Sequence, residues 1–237
     1  MTVLHLADEG EAADLAAFLS RLLHYDRSAA VRLQAAGTAL AVFGRPPSFE
    51  VLAVRTVRLA KPYENGLDAT LDVTVSAGEL LESVDERAAT ARVPGAVTGP
   101  PWAGVLPPRG GWRAEPGLPA PDALRALVAA AVAEFRARTE ELAAEDRTRA
   151  ALDGIGRDIW SRTVGDTGLP VRAVHAAQSL GFLRPRGASG PGTGIGTGSG
   201  EDAPRLFSSG AWLRLRTPFG SVALRRAGAG ALGISVR

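Results

Sequence analysis

The sequence predicts an α+β protein: an antiparallel N-terminal sheet flanked by helices, followed by a helical region that ends in a β-hairpin. Three observations predict it. Apolar residues recur at helical spacing up to His24, the period falls to two from Val31 to Val75, and helical spacing returns after Pro121 before a final alternating stretch around residues 212–225.

Asp8 and Glu11 make a D-x-x-E start, and Leu15, Phe18, Leu19, Leu22 and Leu23 then share one face as far as His24, which predicts a first amphipathic helix. After Asp26, Val31, Leu33 and Ala35 alternate with Arg32 and Gln34. Ala39, Ala41 and Phe43 follow a turn at Gly37, and residues 49–59 form a long β-branched run. A KPYENG turn at 61–66 leads to a fourth strand, where Leu71, Val73 and Val75 oppose Thr70, Asp72 and Thr74. Ser76 with Glu79 repeats the capping-box spacing ahead of Leu80, Leu81 and Val84, so the expected order is helix, four strands, helix.

These elements fill a first unit, residues 1–93. Residues 94–120 are crowded with proline and glycine but carry Trp102 and Trp112, which predicts an ordered wrapping loop, since polar linkers seldom carry tryptophan. The remainder, 121–237, opens with a stripe of Leu124, Leu127, Val128, Ala131, Val132 and Phe135. A second helical stretch, 148–164, is centred on Leu152, Ile155 and Ile159. Glu134/Arg138, Glu145/Arg149, Asp153/Arg157 and Asp158/Arg162 all fall at i, i+4, acid first, the arrangement of solvated helix faces. Pro170 fits the first position of a helix running to Leu180, with Gly181 as its stop. Residues 187–200, GASGPGTGIGTGSG, read as a disordered loop, and residues 232–236 as a last strand.

The hairpin expectation is specific. With Thr217-Pro218-Phe219-Gly220 as the turn, the cross-strand partners are Arg216/Ser221, Leu215/Val222, Arg214/Ala223, Leu213/Leu224 and Trp212/Arg225. That register collects the apolar pairs on one face and leaves Arg214, Arg216 and a Trp212/Arg225 cation–π contact on the other. Helix followed by strands occurs in both halves, and VLAVR at 51–55 echoes SVALR at 221–225. The order of elements in the first half is also that of the unit repeated in DNA sliding clamps, an analogy of order alone.

Composition narrows the chemistry. Of 237 residues, 46% are hydrophobic and 22% charged, ordinary for a globular chain with a real core. There is no cysteine, which removes disulfides, thiolate nucleophiles and cysteine-ligated metals and suggests the cytoplasm. The acidic N-terminus lacks a signal-peptide pattern, and no apolar run approaches the roughly 20 residues of a membrane span, so a soluble protein without a membrane role is expected. Lys61 is the sole lysine among 27 basic residues, a bias that codon usage in a GC-rich genome explains. Charge is unevenly placed: residues 1–120 carry eleven basic and fourteen acidic residues, whereas residues 170–237 carry nine arginines against two acids.

Reactive constellations are missing. Lys61 lies between Ala60 and Pro62, so no P-loop exists, and the glycine tract contains no G-x-G-x-x-G. His5, His24 and His175 have no second histidine at i+3 or i+4, and no G-x-S-x-G occurs. The expectation is a protein with no catalytic residues, no metal and no cofactor. Two helices, a shorter helix and a two-stranded ribbon also follow the order of a winged helix. On that model Arg172, His175 and Ser179 point outward from the third helix, with Arg184, Arg214, Arg216 and Arg225 near phosphates.

The stretches PPRGGW (107–112), IWSR (159–162), HAAQSLGFL (175–183) and SGAWLRLRTPFGSVALRR (209–226) resemble those of a conserved hypothetical family of high-GC actinobacteria such as Streptomyces. The resemblance spans most of the chain. It implies a bacterial cytosolic setting and supplies no catalytic residues.

Three functional classes remain. The first is a binding protein whose partner is another protein or a second copy of itself, acting through Arg172, His175, Arg184, Trp212, Arg214, Arg216 and Arg225. The second is a winged-helix-like nucleic-acid binder using the same residues. The third is an enzyme with a pocket assembled from distant residues near Trp102 and Trp112.

Overall fold

A computed structural model describes residues 2–60, 71–185 and 203–226. The expected KPYENG turn, glycine-rich loop and last strand lie outside the described residues. Thr70, at the head of the expected fourth strand, lies outside them too.

A short strand that sequence periodicity does not reveal, β1 (Val3–His5), comes first. Helix α1 (Glu9–Tyr25) follows, and the Asp8 carboxylate accepts a hydrogen bond from the Glu11 amide at 2.8 Å, as the D-x-x-E spacing predicts. Strands β2 (Ala30–Ala36) and β3 (Ala39–Gly44) form a hairpin. In β3 the inward residues are Leu40 and Val42, the set that alternates with the Ala39, Ala41 and Phe43 named from the sequence. Pairing with β2 decides this, because Leu33 lies opposite Val42 and Ala35 opposite Leu40. The long run at 49–59 is also shorter as a strand than expected. Pro47–Phe49 form a 3-10 turn that ends on Glu50 at φ 52°, and β4 begins only at Leu52 (Leu52–Arg58). Consecutive prolines at 46 and 47 have no amide hydrogens for a ladder.

Strand β5 (Asp72–Ser76) pairs with β2, and α2 (Ala77–Glu82) is capped by Ser76, whose hydroxyl accepts from the Glu79 amide at 3.3 Å. Two further strands, β6 (Val84–Asp85) and β7 (Thr90–Arg92), join β1 in a small sheet of order β1-β7-β6. The wrapping segment contains a 3-10 turn (Pro101–Gly104) and β8 (Arg113–Glu115). Helix α3 (Pro121–Glu140) precedes α4 (Arg149–Trp160), which ends four residues before the expected limit. Helix α5 (Val171–Ser179) starts one residue later than expected, with Pro170 as its N-cap. Gly181 ends it at φ 76°: the Phe182 amide donates to the Ala177 carbonyl at 2.7 Å and the Gly181 amide to Gln178 at 2.9 Å, a Schellman motif.

The last strands are β9 (Arg205–Ser209), β10 (Trp212–Thr217) and β11 (Gly220–Arg225). The hairpin register is the expected one at every pair from Trp212/Arg225 to Arg216/Ser221. Its setting differs from a free ribbon. Strand β11 also pairs with β4, and β10 with β9, so one antiparallel sheet of order β5-β2-β3-β4-β11-β10-β9-β8 runs through both halves. The VLAVR and SVALR stretches lie side by side in the β4–β11 pair but turn their arginines to opposite faces: Arg55 is buried toward α1, whereas Arg225 is exposed beside Trp212.

The helices pack on one face of this sheet. Phe18 of α1 stacks on Phe182 at 5.7 Å, and Gly44 lets α1 come close, because a Cβ there would lie 2.5 Å from Leu22 Cδ1. At the β4–β11 seam Arg55, 6% exposed, donates to Glu11 at 3.1 Å, to Asp14 at 3.0 Å and to the Phe219 carbonyl at 2.8 Å. A buried charge survives only with such partners. Arg55→Ala leaves Glu11 and Asp14 facing the seam without it, and urea denaturation is expected to show a loss of about 3–5 kcal/mol with secondary structure retained at zero urea.

Candidate functional site

The face of the sheet opposite the helices carries the expected arginine surface. Register puts Trp212, Arg214 and Arg216 of β10 on it, with Arg225 of β11 and Arg205 and Phe207 of β9. Arg205 lies directly across from Arg216, and Phe207 across from Arg214. The Arg214 guanidinium donates to Ser221 Oγ at 2.9 Å and lies 5.8 Å from the Trp112 ring centre. Arg225 sits 5.7 Å over Trp212, the contact expected from sequence, and Arg205 sits 5.5 Å over Phe207. Burial pulls the Arg214 guanidinium below its ordinary value, and the charge of Arg216 pulls it further in the same direction. Among the described residues no carboxylate lies within 4 Å of Arg205, Arg214, Arg216 or Arg225.

Several arginines elsewhere are paired with acids. Arg32 binds Asp72 through two hydrogen bonds of 2.7 and 2.8 Å and also donates to the Ala103 carbonyl. Arg162 binds Glu134 at 2.6 and 2.8 Å, and Arg138 contacts both Glu134 and Asp158. Of the expected i, i+4 pairs, Glu134/Arg138 and Asp158/Arg162 form. Glu145 lies in a 3-10 turn before α4, and Asp153 turns back to Arg149 at 3.7 Å, leaving Arg157 unpaired among the described residues.

The wrapping segment roofs part of this outer face. It starts along β5, where the Val97 amide donates to the Thr74 carbonyl at 2.9 Å, and Trp112 braces its far end by donating from Nε1 to the Pro108 carbonyl at 3.0 Å. Beneath residues 104–109 lies a cavity of about 390 Å³, lined by Arg32, Gln34, Thr56, Arg109 and Arg214 together with Phe43 and Val54. Its polar lining consists of guanidinium, amide and hydroxyl groups, a set of hydrogen-bond donors suited to an anion.

The remaining expected site residues fall elsewhere. Arg184 donates to Asp14 at 2.6 Å and lies 3.9 Å over the Phe219 ring, so it ties α1 to the hairpin turn. Arg172 and His175 belong to α5, where Val171, Ala173, Val174, Ala176 and Ala177 are buried, and both face a groove on the helix side of the molecule. Burial lowers the His175 pKa. Helix α5 is therefore packed into the fold, and β10 and β11 are interior strands, so the described residues present neither a free recognition helix nor a free wing. Sequence reasoning missed Arg205, Arg109 and Phe207 because the strand bearing two of them follows the glycine-rich tract, and only pairing with β10 brings them to this face.

The arrangement defines an α+β protein with helices on one face of a continuous antiparallel sheet and an arginine-rich, aromatic opposite face. The chain belongs to the family described as Domain of unknown function (DUF8185), whose model matches residues 107–229; a second model, Domain of unknown function (DUF8010), matches residues 1–104. The boundary between them falls in the wrapping segment. No curated protein matches the chain. Among the described residues no group of three or more histidines or carboxylates could hold a metal, and no helix is long and apolar enough to cross a membrane.

The Arg32–Asp72 pair underpins the cavity wall. Hydrogen bonds from Arg32 hold the Asp72 carboxyl below its ordinary value, with Gln34 adding to the effect. The unfolded chain therefore binds this proton more readily than the folded one, so the pair stabilises the fold above the ordinary aspartate pKa of about 3.9 and is lost as pH falls through the lower folded value. Thermal melts between neutral pH and about pH 2.5 are expected to show Asp72→Asn less stable than the parent at neutral pH, with the gap closing at the acid end.

Proposed function

We propose that this protein is a cytoplasmic, non-enzymatic binding protein of a high-GC actinobacterium, and that its outer sheet face docks an acidic protein partner. One observation carries the reading: Arg205 and Arg216 face each other across adjacent strands, beside Arg214, with no carboxylate among the described residues to neutralise them. Like charges directly opposite in a sheet are destabilising. Stability alone would favour an acid at one of these positions, as the chain has at Asp72 opposite Gln34 and beside Arg32. An anionic partner supplies the missing charge, and arginine with tryptophan is the pairing that concentrates binding energy at interfaces.

The same charge argues against self-association through this face, because a two-fold contact would place the arginine cluster against its own copy. It also favours an extended acidic segment over a flat surface, since the cavity under residues 104–109 offers Arg109 and Arg214 to an inserted carboxylate.

Fluorescence anisotropy with a labelled polyglutamate peptide tests this. Binding is expected to weaken as salt rises, and the Arg214→Ala/Arg216→Ala double variant to bind at least about tenfold more weakly while its circular dichroism spectrum stays that of the folded parent. Equal affinity of parent and double variant removes the proposal, and a single-stranded oligonucleotide that outcompetes polyglutamate at matched charge replaces the protein partner by nucleic acid.

A further inference from the structure

A wide cavity lies on the other side of the molecule. It encloses about 980 Å³ between the 3-10 turn at Pro47–Phe49, α4 and α5, at the upper end of the roughly 300–1,000 Å³ usual for small-molecule sites. Its wall is a run of rings from both halves of the chain. Trp160 stacks on His175 at 4.6 Å with 26° between planes, His175 meets Phe49 edge-on at 5.1 Å, and Phe49 meets Tyr25 in the same way at 5.2 Å. Phe135 extends the run beyond Trp160 at 6.1 Å.

Two backbone features border this wall. Gly156 sits inside α4 between Trp160 and Phe135, where a Cβ would lie 3.4 Å from Trp160 Cδ1 and 3.7 Å from Phe135 Cε2, in ordinary van der Waals contact with both rings. Glu50, at the rim, holds a left-handed backbone at φ 52°, a conformation uncommon for a residue other than glycine.

The rim is cationic where its charges are not matched. Arg149 is taken by Asp153, and Glu50 reaches Arg172 only as a 3.5 Å contact with Nε. That Nε is buried and has no hydrogen bond, and Arg157 has no carboxylate within 4 Å among the described residues. Aromatic faces beside guanidinium groups with donors to spare suit a flat ring bearing a negative group.

We propose that this groove binds a small planar aromatic anion, its ring against Trp160 and Phe49 and its carboxylate, sulfonate or phosphate at Arg157 and Arg172. His175 stands between the Trp160 and Phe49 rings in this wall, and its burial disfavours the charged imidazolium there. The site is independent of the outer sheet face and stands whether or not that face docks a partner.

The probe is 8-anilinonaphthalene-1-sulfonate, a flat aromatic sulfonate, titrated into the full chain alongside its uncharged relative N-phenyl-1-naphthylamine. One saturable site is expected for the sulfonate, with the neutral compound and the exposed-residue variant Arg157→Gln each lowering affinity at least about tenfold. In the nitrogen-15 spectrum the Trp160 indole N–H should move on binding while those of Trp102, Trp112 and Trp212 stay in place. Non-saturable binding, equal affinity for the neutral compound, an unaffected Arg157→Gln variant, or shifts confined to the other three tryptophans would each overturn the assignment.

Discussion

The buried guanidinium of Arg55 is the contact on which the two halves depend. It leaves the central strand β4, binds Glu11 and Asp14 of α1, and reaches the carbonyl of Phe219 in the turn between β10 and β11. Arg184 closes the same circuit from the other half by binding Asp14 and covering the Phe219 ring. One cation thus fixes the height of α1 over the sheet and the position of the hairpin turn against it. The β4–β11 ladder itself is short, pairing Ser221 with Val54, Val222 with Ala53 and Ala223 with Leu52, so side-chain anchoring at the seam adds to backbone pairing.

That seam also explains how the arginines divide. Arg55, Arg162 and Arg184, directed toward the helices or lying among them, meet acids of α1 or α3 and act within the fold. Those of β9, β10 and β11 directed away from the helices meet aromatic rings and one another. The strand period of two makes the division unavoidable, since once Leu213, Leu215, Val222 and Leu224 turn toward the helices, the alternate residues must turn outward. A basic outer face is therefore the geometric complement of a well-packed inner one, and its lack of acids is the feature that packing does not require.

Several parts of this architecture were legible in the residues. The Asp8 cap, the Ser76 cap, the Gly181 stop and the full register of the last hairpin all follow from short-range rules that need nothing from the rest of the chain. Where pattern reading failed, a distant partner intervened. In β3 both alternating sets, Ala39/Ala41/Phe43 and Leu40/Val42, are apolar, and the neighbouring strand chose between them. The strands β1, β6 and β7 are two or three residues long, too short to show a period, and form only because they pair with one another. The winged-helix order was present in the sequence, yet β4 and β9 flank the hairpin and make it the interior of a sheet.

The candidate sites divide in the same way. Trp212, Arg214, Arg216 and Arg225 were brought to one face by hairpin register, a local property, so the sequence by itself determined that cluster. It also determined where helices begin and end and which residues could not form a cysteine site or a P-loop. Only the tertiary structure decided that Arg205 stands opposite Arg216, that residues 104–109 roof the outer cavity, and that Phe49, Trp160 and His175 share a groove. Capping, turn and alternation rules act over a few residues through backbone geometry, whereas these juxtapositions join separate elements, from eleven positions apart for Arg205 and Arg216 to 111 for Phe49 and Trp160, and burial of the common core selects them.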